Sequence, residues 1–211
     1  MLSSKYGKAT KGDLKMLLKQ MTKLQNGTTK MYFPNLGPLE EWVIVGYGDA
    51  GIKSMPDKQG SVGGQVIMLV NTHRNLACVL NWRSKKLVRK VVSSLAGEAL
   101  AAVATIGEIV YNKAILKQIF GDKIDSIPVV LYTDSKNLYE SVHSSGLVDD
   151  AWLIIDISII KDALSDGTIS CLKRVLGEDM IANCLTKNGA SGATLLEVLQ
   201  TGQYVMPPGL V

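Results

Sequence analysis

The sequence predicts an α/β protein with a mixed sheet, in which three antiparallel strands come first and parallel strands are added after them. Three short apolar runs within residues 42–82 are separated by short connections, which is typical of an antiparallel meander. The later apolar runs alternate with segments of helical periodicity, and strands joined through helices run parallel. The predicted order of elements is therefore β-β-β-α-β-α-α-β-α, in one five-stranded sheet flanked by helices.

The composition is that of a folded, mildly basic domain. The 211 residues are 46% hydrophobic and 20% charged, and the formal net charge of +4 permits a nucleic-acid partner without proving one. The cysteines are widely spaced and odd in number, which favours a reducing compartment over a disulfide framework: Cys78, Cys171 and Cys184. The N-terminus lacks the apolar core of a secretory signal, and the most apolar stretch, Val91–Tyr111, contains two acids. We therefore expect neither secretion nor a membrane span.

The first 38 residues are predicted to be a helix followed by a linker. Apolar side chains within residues 10–23 recur at helical spacing: Leu14, Leu17, Leu18 and Met21. Gly27 ends this helix, and turn residues follow up to Pro38. Because so short a piece cannot bury a core of its own, we place a domain boundary at Pro38. The predicted domain spans residues 39–190, and residues 191–211 form a small helix and a frayed tail.

The strands are predicted from apolar runs and the loops from turn residues. Trp42–Val45 is a buried strand that leads into the small residues of Gly46–Gly51, and residues 52–64 form a loop. Four further strands are expected at residues 65–70, 77–82, 127–133 and 168–176. A basic segment follows the third strand: Arg83, Lys85, Lys86, Arg89 and Lys90.

The predicted helices of the domain begin with a long one over residues 95–120. Ser93 and Ser94 are its N-cap candidates, and its alanine-rich first part can pack closely on a sheet. Shorter helices are expected further along the chain, at residues 135–144, 152–164, 178–185 and 195–199.

Three acids stand where strands end or helices begin. Asp49 follows the first strand, Glu98 lies in the first turns of the long helix, and Asp134 ends the fourth strand. In a sheet whose first strand neighbours the fourth, all three reach one rim, where carboxylates so close repel each other without a cation. Their hard oxygens favour Mg²⁺ or Mn²⁺, and two such ions about 3.5–4 Å apart can activate a water and stabilise the leaving oxygen of a phosphodiester. Taken singly, each acid is more often a turn, cap or first-turn residue.

Five ordered motifs in the chain carry a resemblance to a known family. They are Gly46–Ala50, Ser61–Gly64, Trp82–Lys86 with Ser93–Ala99, Tyr132–Lys136 and Glu178–Lys187. Over roughly residues 42–199 the chain resembles the ribonuclease H (RNase H) domain of LTR-retrotransposon polyproteins, the copia type in particular. The last motif, Glu-Asp-Met-Ile-Ala-Asn-Cys-Leu-Thr-Lys, is similar to that family's terminal E-D-x-L-A-D-x-L-T-K signature. Residues 1–38 resemble the end of the reverse-transcriptase region that precedes this domain.

The resemblance implies an RNase H-like fold and cleavage of the RNA strand of RNA–DNA hybrids with two divalent ions. It assigns metal-ligand roles to Asp49, Glu98 and Asp134, and a fourth to the position of Asn183, where the family has Asp. An amide oxygen is a weaker ligand for a hard cation than a carboxylate, so we expect weakened binding of one ion and slow or absent hydrolysis. Asp179 either substitutes for the missing acid or only charges the first turn of its helix. Whether Asn183 is natural or engineered stays open.

Several further residues are predicted to contact nucleic acid. Four basic side chains shortly before Glu98 are placed to meet phosphates, the alternative being a solvated run of charge: Lys85, Lys86, Arg89 and Lys90. Ser94 and Asn137 are candidates for contact with the 2′-hydroxyls that distinguish RNA from DNA, although capping is the more common role of Ser94.

The expected partners are an RNA–DNA hybrid and the reverse-transcriptase domain of the same polyprotein. The expected location is a cytoplasmic virus-like particle or the nucleus. Two other functions stay open at this point. One is an RNase H-like module that binds nucleic acid or braces a polymerase without cutting, which Asn183 favours. The other is a nuclease of the same fold that cuts DNA.

Overall fold

The chain forms two compact units, Met1–Met31 and Tyr32–Val211. The computed structural model describes residues 10–26, 30–52, 60–144 and 150–210. Most of the predicted loop at residues 52–64 lies outside the described residues. The predicted boundary at Pro38 falls inside the second unit, close to the buried Leu36, and the division of the chain at residues 38 and 190 stays a prediction.

The first unit contains helix α1, Lys11–Asn26, where a helix was expected at residues 10–23. A reciprocal capping box starts it. The Thr10 hydroxyl accepts a hydrogen bond from the backbone N–H of Asp13 (3.2 Å), and the Asp13 carboxylate accepts one from the backbone N–H of Thr10 (2.9 Å). These bonds satisfy two backbone donors that the first helical turn leaves free.

The second unit is built on a mixed five-stranded sheet with strand order β3-β2-β1-β4-β5. The strands are β1 (Trp42–Gly51), β2 (Val62–Asn71), β3 (Leu76–Lys86), β4 (Val129–Thr133) and β5 (Cys171–Arg174). The first three form an antiparallel meander, β4 pairs parallel to β1, and β5 pairs parallel to β4. The predicted α/β fold class and mixed sheet are confirmed.

Within the described residues of this unit, five helices flank the sheet. They are α2 (Ser94–Phe120), α3 (Lys136–His143), α4 (Ala151–Ser165), α5 (Asn183–Thr186) and α6 (Ala193–Thr201), with short 3-10 turns at Leu39–Glu41 and Gly121–Ser126. Alternate residues of β1 face opposite cores: Ile44 belongs to the cluster that contains α2, whereas Val45 and Tyr47 belong to the cluster that contains α6.

Two glycines of β1 allow α2 to lie directly on the sheet. A Cβ atom on Gly48 would stand 2.6 Å from Thr105 Oγ1 and 3.2 Å from the Ala101 carbonyl oxygen, both on α2. A Cβ atom on Gly46 would stand 2.6 Å from Ile109 Cδ1 of the same helix. The glycines flanking Tyr47 therefore set the distance between β1 and α2, and with it the position of the side chains that α2 carries.

The structure differs from the predicted elements mainly in their lengths. Strand β1 runs past its apolar core to Gly51, because the whole segment pairs with β2. Strand β3 continues to Lys86, so the first part of the predicted basic segment lies on a strand. Helix α5 begins only at Asn183, so Asp179 lies on a turn before it and does not share its face.

The C-terminal tail was expected to be frayed, and this expectation is wrong for residues 202–210. The backbone N–H of Ala77 donates to the Gly202 carbonyl, and that of Tyr204 donates to the Asn75 carbonyl, both at 2.8 Å. The Tyr204 hydroxyl meets the Tyr47 hydroxyl inside the second core cluster. The expectation of fraying came from the proline-rich composition of the tail. The tail instead pairs with the β2–β3 turn and covers one face of the sheet.

Helix α2 contains most of the apolar stretch Val91–Tyr111, for which no membrane span is expected. Residues 94–126 are long and apolar enough to cross a membrane by length and composition, and 44% of the relevant window is buried inside the protein. Its buried side chains, Ala99, Ala102, Ile106 and Ile109 among them, pack in the core cluster with β1 and β4. These contacts are those of a core helix.

Candidate metal centre

Three carboxylates meet at one rim of the sheet. Asp49 lies near the end of β1, and Asp134 follows β4 directly, so the parallel pairing of these strands brings both acids to the same edge. Glu98 lies in the second turn of α2, which begins at that edge. One oxygen from each of Asp49, Glu98 and Asp134 can be chosen so that all three lie within 4.8 Å of one another.

Burial leaves two oxygens of these acids without a close hydrogen bond. Asp49 is fully buried, and its Oδ2 accepts a hydrogen bond from the Thr186 hydroxyl. Among the described residues, the Oε2 atom of Glu98 has no hydrogen-bond partner, and the Oδ1 atom of Asp49 has only a long ion pair, 3.4 Å, with the Lys187 ammonium. Buried acceptors without donors are rare, because they lose their hydration without replacement. A cation that binds these oxygens would offset that cost.

The proximity of the acids changes their acidity. Burial, followed by the charges of Asp49 and Asp134, raises the pKa of Glu98 to about 9. Burial also raises the pKa of Asp49 above its ordinary value, although the hydrogen bond from Thr186 and the charge of Lys187 oppose the rise. Without a cation the cluster therefore holds Glu98 protonated at neutral pH, and a bound cation would favour the ionised form.

A lysine ammonium already stands between two of the acids. Lys187 Nζ lies 3.4 Å from Asp49 Oδ1 and 3.4 Å from Asp134 Oδ2. Burial lowers the pKa of Lys187, but the Asp49 and Asp134 carboxylates raise it by more, so its pKa lies above the ordinary value. Thr186 and Lys187 thus both reach Asp49 from α5 and the residue after it.

Asn183, the position of the fourth ligand implied by the resemblance, reaches the cluster through Lys187. Its Nδ2 donates to the Gly177 carbonyl at 2.7 Å, and its Oδ1 accepts a hydrogen bond from Lys187 Nζ. The amide is therefore oriented with its oxygen towards the ammonium. Asp179 lines a different cavity, together with Tyr47 and Tyr204, and is not among the acids that group with Asp49.

The chemistry of the cluster fits a hard divalent cation. The three side chains that converge are all carboxylates, and the described residues bring no cysteine or histidine into the group. Carboxylate oxygens suit Mg²⁺ and Mn²⁺, and Mg²⁺ in particular is held by few carboxylates while keeping several waters. Asp49, Glu98 and Asp134 are the residues that would hold such an ion.

Two of the four predicted phosphate-binding residues lie close to this rim. Lys85 and Lys86 are exposed and pair across β2 with Gly63 and Val62. Since β2 lies between β3 and β1, the backbone of these two lysines lies two strand spacings, about 10 Å, from the end of β1. Because successive side chains of a strand point to opposite faces, the two lysines carry positive charge on both sides of this end of the sheet.

The other predicted nucleic-acid contacts have different surroundings. Arg89 donates to the buried carboxylate of Asp156 and lies over the Trp152 ring, 5.3 Å from its centroid. These contacts tie Arg89 to α4, whereas Lys90 is exposed.

The two polar residues proposed for 2′-hydroxyl contact are both exposed. Ser93, and not Ser94, caps α2, since its hydroxyl accepts from the Ala96 N–H at 3.1 Å. Ser94 is the first residue of α2, and Asn137 lies in the first turn of α3, three residues after Asp134. Both helices begin at the rim that carries the acids.

Sequence reasoning missed Thr186 and Lys187. They are the last two residues of the motif Glu178–Lys187, and their place in that motif was the one feature of the sequence that could have marked them as site residues. Nothing in their residue types singles them out, because a threonine and a lysine at the end of a short helix are ordinary. Their role depends on α5 packing against β1 and β2, where a Cβ atom on Gly64 would stand 2.7 Å from Thr186 Cγ2.

Comparison with known proteins finds similarity in structure. No family model matches the chain, and no curated protein matches it. The solved structures that match include a ribonuclease H1 from compost, LC11, in complex with an RNA/DNA hybrid. It is 18% identical over 68% of this chain and 93% of its own, with a TM-score of 0.49.

Two further matches are also ribonucleases H. The N-terminal RNase H domain of a Mycobacterium tuberculosis protein is 16% identical over 68% of this chain and 89% of its own, with a TM-score of 0.45. Ribonuclease H1 from the halophilic archaeon Halobacterium salinarum is 14% identical over 68% of this chain and 93% of its own, also with a TM-score of 0.45. The α/β class rests on the strand order and the helices of this chain itself.

Proposed function

We propose that this chain hydrolyses the RNA strand of RNA–DNA hybrids in a reaction that depends on a divalent cation. The observation that carries the proposal is the convergence of Asp49, Glu98 and Asp134 at the rim where β1 and β4 end. The buried Oε2 atom of Glu98 has no hydrogen-bond partner among the described residues, as expected of an atom that binds a cation. Metal-dependent phosphodiester hydrolysis uses such a cluster of acids.

The residues of the chain have distinct roles in this proposal. Asp49, Glu98 and Asp134 hold the divalent cation, whose chemistry is to activate water and stabilise the leaving oxygen. Thr186 fixes the Asp49 carboxylate through its hydrogen bond. Lys85 and Lys86 bind phosphates of the hybrid beside the cluster.

The RNA strand is recognised by its 2′-hydroxyls. Ser94 and Asn137 are both exposed in the first turns of helices that begin at the rim, and each carries a donor and an acceptor. We propose that these two side chains contact the sugar edge of the RNA strand. Lys90, exposed just before α2, extends the phosphate contacts.

The finer features of the proposal come from the sequence resemblance. It implies a two-ion mechanism in which Asp49 is shared between the ions, with Asn183 as the weak fourth ligand. It also implies an origin in a retroelement polyprotein, in which the reverse-transcriptase domain is the partner and residues 1–38 are the end of that domain. The corresponding location is a cytoplasmic virus-like particle or the nucleus.

A second candidate function is a module that binds hybrids without cutting them. The specific observation that favours it is Asn183, whose oxygen accepts a hydrogen bond from Lys187. A side chain engaged in this way and lacking charge contributes less to cation binding than the carboxylate it replaces. The two functions share the same surface and differ in whether a bond is broken.

Labelled RNA–DNA hybrid incubated with the full chain in Mg²⁺, and separately in Mn²⁺, distinguishes these functions. We expect slow cleavage of the RNA strand by the wild type, at least about tenfold faster cleavage by Asn183→Asp, and none by Asp49→Asn; tenfold corresponds to about 1.4 kcal/mol of transition-state stabilisation. Asp122→Asn is the matched control, because Asp122 is highly exposed at the far end of α2. It should cleave like the wild type.

Three results would lead elsewhere. Hybrid binding without cleavage by the wild type or by Asn183→Asp favours the module that does not cut. Cleavage of duplex DNA in preference to the hybrid favours a DNA nuclease of the same fold. Activity that survives Asp49→Asn would show that the acids named above are not the reaction centre.

A further inference from the structure

The acidic cluster contains a cation that the chain itself supplies. The Lys187 ammonium lies 3.4 Å from one oxygen of Asp49 and 3.4 Å from one oxygen of Asp134, and it donates to Asn183 Oδ1. It therefore contacts three oxygens from three different side chains. Other lysines of the described chain also pair with acids, but Lys187 is the one that reaches the acids of this cluster.

The surroundings hold Lys187 in this position. Asn183 lies four residues before Lys187, and the backbone N–H of Lys187 donates to the Asn183 carbonyl at 2.9 Å. The Asn183 side chain is oriented by its own bond to the Gly177 carbonyl, 2.7 Å long, which leaves Oδ1 for the ammonium. The neutral Asn183 thus acts as an oriented acceptor for the lysine.

The charges of the cluster match a single divalent ion. When a bound cation keeps all three carboxylates ionised, they carry −3 and the Lys187 ammonium carries +1, which leaves −2 for the four side chains together. One divalent cation neutralises that charge, and a second would leave an excess of positive charge at the cluster. An aspartate at position 183 together with loss of the ammonium would instead give −4, which matches two divalent ions.

We propose that the Lys187 ammonium takes the place of a second divalent cation, so that this chain binds one divalent cation at the Asp49–Glu98–Asp134 cluster. The inference rests on the proposed function, because it concerns the cation on which that function depends. It replaces the two-ion mechanism implied by the resemblance with a site of one ion and one ammonium. Because the family's signature also ends in lysine, the feature that sets this chain apart is the neutral Asn183, whose oxygen accepts from the ammonium. Lys187 acts here as a positioning residue that sets the number and affinity of bound ions.

The number of bound Mn²⁺ ions tests this inference without reference to activity. Electron paramagnetic resonance of free Mn²⁺ titrated into the full chain gives both stoichiometry and affinity. We expect one ion on the wild type, tighter binding of that ion by Lys187→Met, and two ions on the double variant Lys187→Met with Asn183→Asp. The affinity gain should be on the order of tenfold or more, because a positive charge 3.4 Å from two of the ligand oxygens is removed.

Lys117→Met is the matched control. Lys117 also bridges two aspartates, Asp122 and Asp125, but at the C-terminal end of α2, about 28 Å from Glu98 along the helix. This variant should bind one Mn²⁺ with the affinity of the wild type. Lys187→Gln serves as a second neutral variant if Lys187→Met fails to fold.

The outcomes separate this inference from the proposed function. Two ions on the wild type, or unchanged affinity in both neutral variants, would overturn the role of Lys187 even if the hybrid is cleaved. One ion on the wild type with the expected gain in Lys187→Met, but no cleavage by any variant, would leave this inference standing and remove the proposed function. Absence of Mn²⁺ binding by every variant would overturn both.

Discussion

At the scale of single residues, the crowding of the acids acts most clearly on the pKa of Glu98. Its pKa is raised from an ordinary 4.5 to about 9, first by burial and then by the neighbouring acids. The folded state therefore holds a proton on Glu98 between pH 4.5 and pH 9 that the unfolded chain has lost. By linkage, the free energy of unfolding falls with rising pH across this window, by at most about 1.4 kcal/mol per pH unit.

We expect urea denaturation in the presence of a chelator to show lower stability at pH 8 than at pH 5. Glu98→Gln should remove most of that decline, because the amide has no proton to lose. The raised pKa of Asp49 acts in the same direction, over pH values above its ordinary pKa. Glu140→Gln, on the exposed face of α3, is the control and should decline like the wild type. An equal decline in Glu98→Gln would show that Glu98 ionises freely in the fold.

The residues of the site divide by how far sequence alone could place them. Asp49, Glu98 and Asp134 could be placed at one rim because each stands at the end of a strand or the start of a helix. Thr186 and Lys187 could not, since their contacts with Asp49 depend on where α5 packs. A motif identifies such residues as a group, whereas only tertiary structure shows which atom each one meets.

Among the elements, the contact between β1 and α2 positions Glu98 relative to Asp49. A Cβ atom on Gly48 would meet Thr105 Oγ1 at 2.6 Å and the Ala101 carbonyl oxygen at 3.2 Å, and the backbone oxygen cannot turn away. Gly48→Ala should therefore push α2 away from β1. We expect a loss of about 1–3 kcal/mol in the free energy of unfolding, measured by urea denaturation, with weaker Mn²⁺ binding.

Gly107→Ala is the matched control for this contact. Gly107 lies on the same helix, and a Cβ atom there meets nothing within 4 Å. Alanine favours the helix over glycine by about 0.8–1 kcal/mol, so this variant should be as stable as the wild type or more stable. Unchanged stability and Mn²⁺ affinity in Gly48→Ala would mean that α2 can shift without disturbing the site.

Element existence could be predicted here far better than element length. The long helix was placed at residues 95–120 and is found at Ser94–Phe120, because its hydrophobicity and N-cap are local signals. Strands β1 and β3 extend beyond their apolar runs because pairing with β2 continues through glycine and lysine residues. The C-terminal tail packs through backbone hydrogen bonds and the Tyr204 side chain. Neither kind of contact produces a periodic pattern of apolar residues from which it could be predicted.

On the scale of the whole molecule, a net positive charge coexists with an acidic rim. The net charge is +4, yet three carboxylates converge at one rim. Lys85 and Lys86 lie beside that rim on the exposed end of β3, while Arg89 is tied to Asp156. We therefore expect Lys85 and Lys86, and not Arg89, to carry the phosphate contacts of this edge.

The salt dependence of hybrid binding measures these contacts. Each neutralised phosphate contributes about 0.7–0.9 to the slope of the logarithm of the association constant against the logarithm of salt concentration. The measurement is fluorescence anisotropy of a labelled hybrid, with a chelator present to prevent cleavage. We expect the slope of the double variant Lys85→Ala with Lys86→Ala to be shallower than that of the wild type by about 1.4–1.8.

The matched control is the double variant Lys113→Ala with Lys123→Ala, which removes the same charge near the far end of α2. That control should bind with the slope of the wild type, because net charge acts at long range and is screened, whereas counterion release requires contact. Equal slopes in the two double variants would place the hybrid on another face of the molecule.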